Sequence, residues 1–304
     1  MFNKQQMVMM EIAKELISYE LGDRIDTISS YTDRFDASRG VVQEALNTLE
    51  SEKAITRDKR GTLGTFLTHI DYKKLWEFTL ERISGVSPLP YTKKHEGIAT
   101  AIYNEMEKNN IPFHFAYMQG AEKRIQGVLE GKYDFAVLSK DSASSLIKKY
   151  NNISMVMEFD QYSYLSGYVL LYKDKEVLKK KKLLVGRDLA SPDHTKWMEL
   201  LAKEEELELE YVDIQYTQMV PAIINGTIDG TIYNKDTIEK PGMFTNIYFQ
   251  DLEINKEIGD ETRAVLVISN KSSGFKNLLN QIISEKEVAK IQNEVIQGTR
   301  DPVY

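Results

Sequence analysis

Cysteine is absent from the 304 residues and proline is scarce, at 7. Without cysteine the chain has no disulfide, no thiolate zinc site, no cysteinyl iron–sulfur cluster and no cysteine nucleophile. Histidine numbers only 4, and His69, His95, His114 and His194 show neither HExxH spacing nor triad-like order. There is no GxxxxGKS/T phosphate loop and no dinucleotide fingerprint. These absences predict a protein that is not an enzyme and that needs no cofactor or metal. No stretch approaches the ~20 apolar residues of a membrane span. The apolar run Met7-Val8-Met9-Met10 is cut at once by Glu11 and Lys14, which is too short for a secretory core. A cytoplasmic protein without membrane contact is the expectation. An excess of base is missing too: 39 Lys+Arg face 46 Asp+Glu, a formal charge of −7. Phosphate binding uses Lys and Arg, so the sum by itself argues against a nucleic-acid partner.

What is present is patterned. At roughly 100–200 residues per domain the length suggests about two domains. In the first segment Met9, Ile12, Ala13, Leu16 and Ile17 recur at helical spacing. Thr27 to Phe35 reads as a second helix with Thr27 as N-cap, Asp36-Ala37 as a tight connection, and Ser38 as the N-cap of a third helix. On that helix Val41, Val42, Ala45, Leu46 and Leu49 share one face. Ile55-Thr56-Arg57 and Gly64-Thr65-Phe66-Leu67 read as a hairpin around Asp58-Lys59-Arg60-Gly61. Helix, helix, helix, hairpin is the order of a winged helix-turn-helix, placed at residues 1–70. Tyr72, Leu75, Trp76, Phe78, Leu80 and Ile83 predict a linker helix over 71–86, and Ser87-Pro88-Leu89-Pro90 breaks the chain.

From 87 to 304 strands and helices alternate, which predicts an α/β domain with mainly parallel pairing. Phe275 to Gln297 reads as one terminal helix. One pattern occurs twice: Val128-Leu129-Glu130-Gly131-Lys132-Tyr133-Asp134 and Ile223-Ile224-Asn225-Gly226-Thr227-Ile228-Asp229, each followed by an apolar strand. The Gly serves as a left-handed helix exit. The Asp precedes a buried strand whose far end points to a crevice. The repeat predicts two similar α/β lobes facing each other.

The stretch from Ser38-Arg39-Gly40-Val41-Val42-Gln43 to Leu49-Glu50, with Ala54-Ile55-Thr56-Arg57 and Gly64-Thr65-Phe66-Leu67, resembles the GntR-type winged helix over the first quarter of the chain. Val41 and Gln43 stand where that family often has Thr and Arg, and the wing is one residue longer than usual. The ~220 residues that follow look like a type 2 periplasmic-binding-protein fold. The whole architecture is similar to the YhfZ-like regulators. The fold class expected is therefore an N-terminal winged helix-turn-helix followed by a two-lobe α/β effector domain. The alternatives are a chorismate-lyase-like effector domain, marked by a single mixed antiparallel sheet, and a solute receptor without DNA function.

The partners this resemblance implies are a double-stranded DNA operator, a small-molecule effector and a second copy of the chain. In a winged helix the third helix enters the major groove. Arg39 and Gln43 can reach guanine and adenine edges there. Ser38 and Gly40 lie at the helix start, where free N–H groups favour phosphate. Arg57, Lys59 and Arg60 with Thr62 and Thr65 belong to the wing, and Arg34 lies beside it on the second helix. Residues 1–70 hold 9 bases and 11 acids, 9 − 11 = −2, so positioning has to matter more than net charge. For the effector, the loops at strand ends nominate Tyr91, Thr92, Gln119, Gly120, Ser139, Arg187, Asp188, Ser191, Asp193, Tyr216, Tyr233 and Asn234. Arg187 is the expected clamp for an anionic group.

Overall fold

A computed structural model describes residues 3–189, 192–238, 247–252, 259–272 and 274–303. The chain forms two compact units. One gathers residues 1–83, 104–114 and 270–284; the other holds 84–103, 115–269 and 285–304.

In the first unit α1 (Lys4–Leu16), β1 (Arg24–Ile25), α2 (Ile28–Phe35), α3 (Arg39–Ser51), β2 (Ile55–Lys59) and β3 (Thr65–Ile70) build the winged helix. Its caps are those the sequence suggests: the Thr27 hydroxyl accepts from Ser30 N–H at 3.1 Å and the Ser38 hydroxyl from Val41 N–H at 3.4 Å. Asp36 turns the chain between α2 and α3 in the left-handed conformation, which Asp tolerates. Val8, Ile12, Ala13 and Leu16 of α1 and Val42, Ala45, Leu46 and Leu49 of α3 are buried. Val41 is only partly so. The wing sheet has the order β1-β3-β2. The two-residue β1 carries no sequence signal.

The helix expected over 71–86 is shorter. α4 (Tyr72–Thr79) stops at Leu80, which takes a left-handed cap, and Ile83–Ser87 is strand β4. The apolar residues of 83–87 are buried as a strand core instead of a helix face. Trp76 of α4 packs on Phe275 at 5.6 Å between ring centroids. Phe275 opens α11 (Phe275–Ile282), so the first unit includes a helix from the far end of the chain. The terminal helix is itself divided, into α11 and α12 (Glu285–Ile296), because Ile283 is extended.

Among the described residues the second unit contains two five-stranded sheets. α5 (Lys93–Lys108), β5 (Phe113–Tyr117), α6 (Ala121–Leu129), β6 (Phe135–Ser139), α7 (Lys140–Lys149) and β7 (Ile153–Glu158) follow β4. Next come β8 (Tyr168–Tyr172), β9 (Lys182–Arg187), α8 (Pro192–Glu204), β10 (Glu208–Asp213), α9 (Met219–Ile224), β11 (Gly230–Asn234), α10 (Lys235–Ile238), β12 (Tyr248–Asp251) and β13 (Ala264–Ser269). The sheet orders are β5-β4-β6-β13-β7 and β10-β9-β11-β8-β12. The chain thus leaves the first lobe after β7 and returns as β13. Pairing is mixed where parallel was expected: β4/β6 and β9/β10 are parallel, but β13 runs antiparallel to β6 and β7, and β8 antiparallel to β11 and β12. The strands that return or cross over supply the antiparallel pairs. Two sheets exclude the single-sheet, chorismate-lyase-like alternative.

Strand alternation distributes the core. In β8, Leu170 and Tyr172 face α8 with Trp197, Met198 and Leu201, while Val169 and Leu171 face α9 with Met219 and Ile223. The repeated motif performs one task twice. Gly131 and Gly226 leave their helices at φ 73°. Asp134 accepts from the backbone N–H of Ser84 at 2.7 Å, and Asp229 from that of Leu184 at 3.0 Å. Each Asp pins the entry of its central strand to the neighbouring chain.

Candidate functional site

The first unit presents a concave face of about 320 Å³ between the start of α2, the exposed side of α3 and the wing. Arg39, Gln43, Asn47, Arg57, Lys59 and Thr65 line it. Arg39, Gln43 and Lys59 are exposed. Ser38, Gly40 and Thr62 are exposed at its margins. Two predicted contacts, Arg57 and Arg34, are employed otherwise, and a third, Arg60, is so only in part. Arg57 donates from Nη2 to Glu50 at 2.7 Å and to Asn47 at 3.0 Å, and its side chain is only 4% exposed. Burial raises the Glu50 carboxyl pKa, but the side-chain and backbone hydrogen bonds from Arg57 outweigh that and hold it below the usual carboxylate range. Arg57 is therefore a clamp between α3 and β2. Arg34 pairs with Glu15 at 2.9 Å and with Asp26, and lies over the Tyr31 and Phe35 rings. Arg60 pairs with Asp58 at 2.7 Å and covers the Phe66 ring at 4.7 Å, leaving its head half exposed on the wing.

The second unit encloses a pocket of about 130 Å³ between its two lobes. Tyr91, Thr92, Gln119, Gly120, Asp188, Tyr216 and Asn234, all nominated by sequence, line it. Thr92 also caps α5, accepting from His95 N–H at 3.2 Å. Asp188 accepts from Tyr216 N–H at 3.0 Å, and the Gln119 amide lies 3.5 Å from the same oxygen. The Tyr216 hydroxyl accepts from Asn234 N–H at 3.0 Å. Tyr233 lies behind this wall, stacked on Tyr216 at 4.4 Å. Ser139 is turned to structure: fully buried, it caps α7 by accepting from Ser142 N–H at 3.1 Å. Arg187 does not line the pocket. Its guanidinium pairs with Asp213 at 2.8 Å across the parallel β9/β10 ladder and covers the Tyr211 ring. An Arg at a strand end finds its register partner on the next strand when that partner is acidic, as Asp213 is. Ser191 lies outside the described residues, and Asp193 falls in the first turn of α8.

Sequence reasoning missed the pocket's central groups, His95, Arg124 and His194. All three are buried. Arg124, within α6, donates to the Met118 carbonyl at 2.8 Å and lies 3.3 Å from the Tyr164 hydroxyl. Burial, helped by the Arg124 charge, pushes the His95 pKa down to about 4. Burial likewise pushes His194 down to about 4, against the opposing effects of Ile232 and Asp188. Both rings are neutral at pH 7. His194 Nε2 lies 2.9 Å from the Ile232 carbonyl, so Nε2 carries the proton and Nδ1 is a bare acceptor. Among the described residues His194 Nδ1 has no hydrogen-bond partner, whereas a Leu89 backbone group engages the His95 ring and opposes the fall in its pKa. The helical position of Arg124, one turn after Gly120, was the available signal: residue 4 of a helix that starts at a pocket can point back along its own first turn.

A family model described as the YhfZ C-terminal domain matches residues 71–304, and one for a helix-turn-helix domain matches residues 20–67. The chain belongs to the YhfZ family. The uncharacterized protein YhfZ of Escherichia coli (strain K12) is 27% identical over 302 residues, 99% of this chain and 98% of that one. The crystal structure of YhfZ from Shigella flexneri superposes with a TM-score of 0.61 at 26% identity, over 74% of this chain and 94% of that one. Two further structures share the fold of the YhfZ C-terminal region. The periplasmic aliphatic sulphonate binding protein SsuA from Escherichia coli has a TM-score of 0.56 at 9% identity, covering 72% of this chain and 75% of that one. The BvgS VFT2 domain of Bordetella pertussis has a TM-score of 0.51 at 14% identity, over 75% and 98%. The fold is therefore a helix-turn-helix followed by a periplasmic-binding-protein-like domain. Among the described residues no helix is long and apolar enough to cross a membrane.

Proposed function

We propose that this YhfZ-family chain is a cytoplasmic transcription regulator that binds an operator as a homodimer and changes its DNA affinity when a small effector occupies the pocket of the second unit. The observation that carries the reading is the pairing of two sites in one chain. One is a groove whose exposed Arg39, Gln43 and Lys59 lie on α3 and the wing; the other is a pocket between two lobes whose mostly apolar lining carries Arg124, Asp188 and His194. The Ser38-to-Glu50 pattern supports a GntR-type reader. Arg39 reads a guanine or holds a phosphate, Gln43 meets an adenine edge, and Lys59 and Arg60 follow the backbone. A dimer spans half-sites about 34–36 Å apart. Ligand and DNA are linked by a coupling free energy of about 1–3 kcal/mol.

The reading is of a binding protein and not of an enzyme. General acid–base work at neutral pH favours groups that titrate near 7, whereas both pocket imidazoles titrate near 4. A solute receptor without DNA function is the competing reading, and the exposed Arg39 and Gln43 on a helix-turn-helix weigh against it. Fluorescence anisotropy of the full chain against genomic fragments tests the proposal. Selective binding that Arg39→Ala weakens by about 1–3 kcal/mol supports it. No sequence-selective binding at low salt would sink it.

A further inference from the structure

The charged groups of the pocket are divided between its walls, Arg124 on one and Asp188 on the other. The first lobe supplies donors. Arg124 is a guanidinium cation 3% exposed, and α6 starts at Gly120 with no side-chain cap on its first N–H groups. A nine-residue helix whose first N–H groups are uncapped favours a negative group. The second lobe supplies acceptors: the Asp188 carboxylate, 8% exposed, and the bare Nδ1 of His194, 2% exposed. His95, 8% exposed, completes the first-lobe wall as a ring that a Leu89 backbone group also engages. Buried polar atoms without partners are costly, and they mark where a ligand supplies the missing hydrogen bonds.

We propose that the pocket is built for a small zwitterion, an acid group against Arg124 and the start of α6 and an ammonium group against Asp188 and His194. An anion alone would leave His194 Nδ1 unsatisfied and face the Asp188 charge. An amine alone would face Arg124. The 3.5 Å approach of Gln119 to Asp188 brings the two walls close enough for one short molecule to touch both. The volume of about 130 Å³ is close to the ~150 Å³ that encloses benzene, so the guest has on the order of six non-hydrogen atoms, the size of a small amino acid.

The inference rests on the second unit being an effector-binding domain, and it is tested without DNA. Isothermal titration and thermal-shift measurements on the full chain use the common α-amino acids and β-alanine. One-ended analogues, lactate and propionate for the acid and ethanolamine for the amine, serve as comparisons. At least one zwitterion binds, and its acid-only and amine-only analogues bind about 10–100-fold more weakly. Asp188→Asn keeps an oxygen for the Tyr216 N–H yet removes the charge, and weakens the zwitterion by a similar factor without weakening the acid-only analogue. Arg124→Lys, which keeps the cation but not its fork, weakens both acids. Arg187→Ala changes neither.

Absence of zwitterion binding overturns the inference, as does an acid-only analogue that binds as tightly as its amino acid. Indifference of the zwitterion to Asp188→Asn overturns it as well. If a zwitterion binds and leaves DNA affinity unchanged, the regulatory reading falls and this inference stands. If the compound that shifts DNA affinity carries no ammonium group, the reverse holds.

Discussion

Arg57→Ala separates a structural cation from a DNA-contacting one. The guanidinium donates to Glu50 at 2.7 Å and to Asn47 at 3.0 Å from a side chain 4% exposed. Hydrogen bonds to charged groups contribute about 1.5–3 kcal/mol each, and the buried aliphatic stem adds packing at about 0.8 kcal/mol per CH2. Glu50 is 35% exposed and is resolvated when its partner leaves, so the carboxylate bond counts for less than its full value. The net loss expected is about 2–3 kcal/mol. Arg57→Lys, which keeps the charge but cannot reach both acceptors with one planar head, loses about half of that. Urea unfolding of the full chain, followed by far-UV circular dichroism, measures both variants. A cycle with Glu50→Gln should give a coupling of about 1 kcal/mol or more. The comparison is Arg39→Ala, which alters DNA affinity and leaves stability within about 0.5 kcal/mol. If Arg57→Ala left stability unchanged and weakened DNA binding as Arg39→Ala does, the clamp would be refuted and Arg57 returned to the DNA.

Three other outcomes follow from the same structure. Gly274→Ala places a methyl against the Ser18 and Ile17 backbone and should destabilise by about 1–3 kcal/mol, lowering the midpoint of thermal unfolding. His95 and His194, pushed down to about 4 against about 6.5 when unfolded, bind fewer protons folded than unfolded over that interval. Stability should therefore fall as pH drops from 7 to 5, by about 2 kcal/mol for each imidazole, and be flat above pH 7; the double variant His95→Asn, His194→Asn should lose most of the slope in pH-dependent urea melts. Arg187→Ala should leave effector binding unchanged and the urea midpoint nearly so, since its pair with Asp213 is a surface one.

Much of this was legible in one dimension because it is local. Helix caps at Thr27 and Ser38 depend on residues three apart. The left-handed exits at Gly131 and Gly226 depend on a single residue type. Seven of the twelve nominated effector residues line the pocket because strand ends in an α/β lobe open on a crevice. The errors arose where a partner from a distant segment decided the outcome. Arg57 is withdrawn by Glu50 and Asn47, Arg34 by Glu15 and Asp26, and Arg187 by Asp213.

The sequence by itself determined the order of elements, the winged helix with Arg39 and Gln43 exposed on its third helix, and the repeated Gly–Asp motif that makes two lobes. These rest on periodicity, capping and turn chemistry, all of which act over a few residues. Only the tertiary structure decided the mixed pairing that β13 creates and the inclusion of α11 in the first unit. It also decided which cation of the second unit reaches the pocket. Arg187, at a strand end, has its charge neutralised by a neighbour, whereas Arg124, one turn into a helix, is folded into the cleft opposite Asp188. The physical reason is that Coulomb and hydrogen-bond partners are chosen by distance in space, and the chain brings residues 124 and 188 to one cavity only after both lobes have formed.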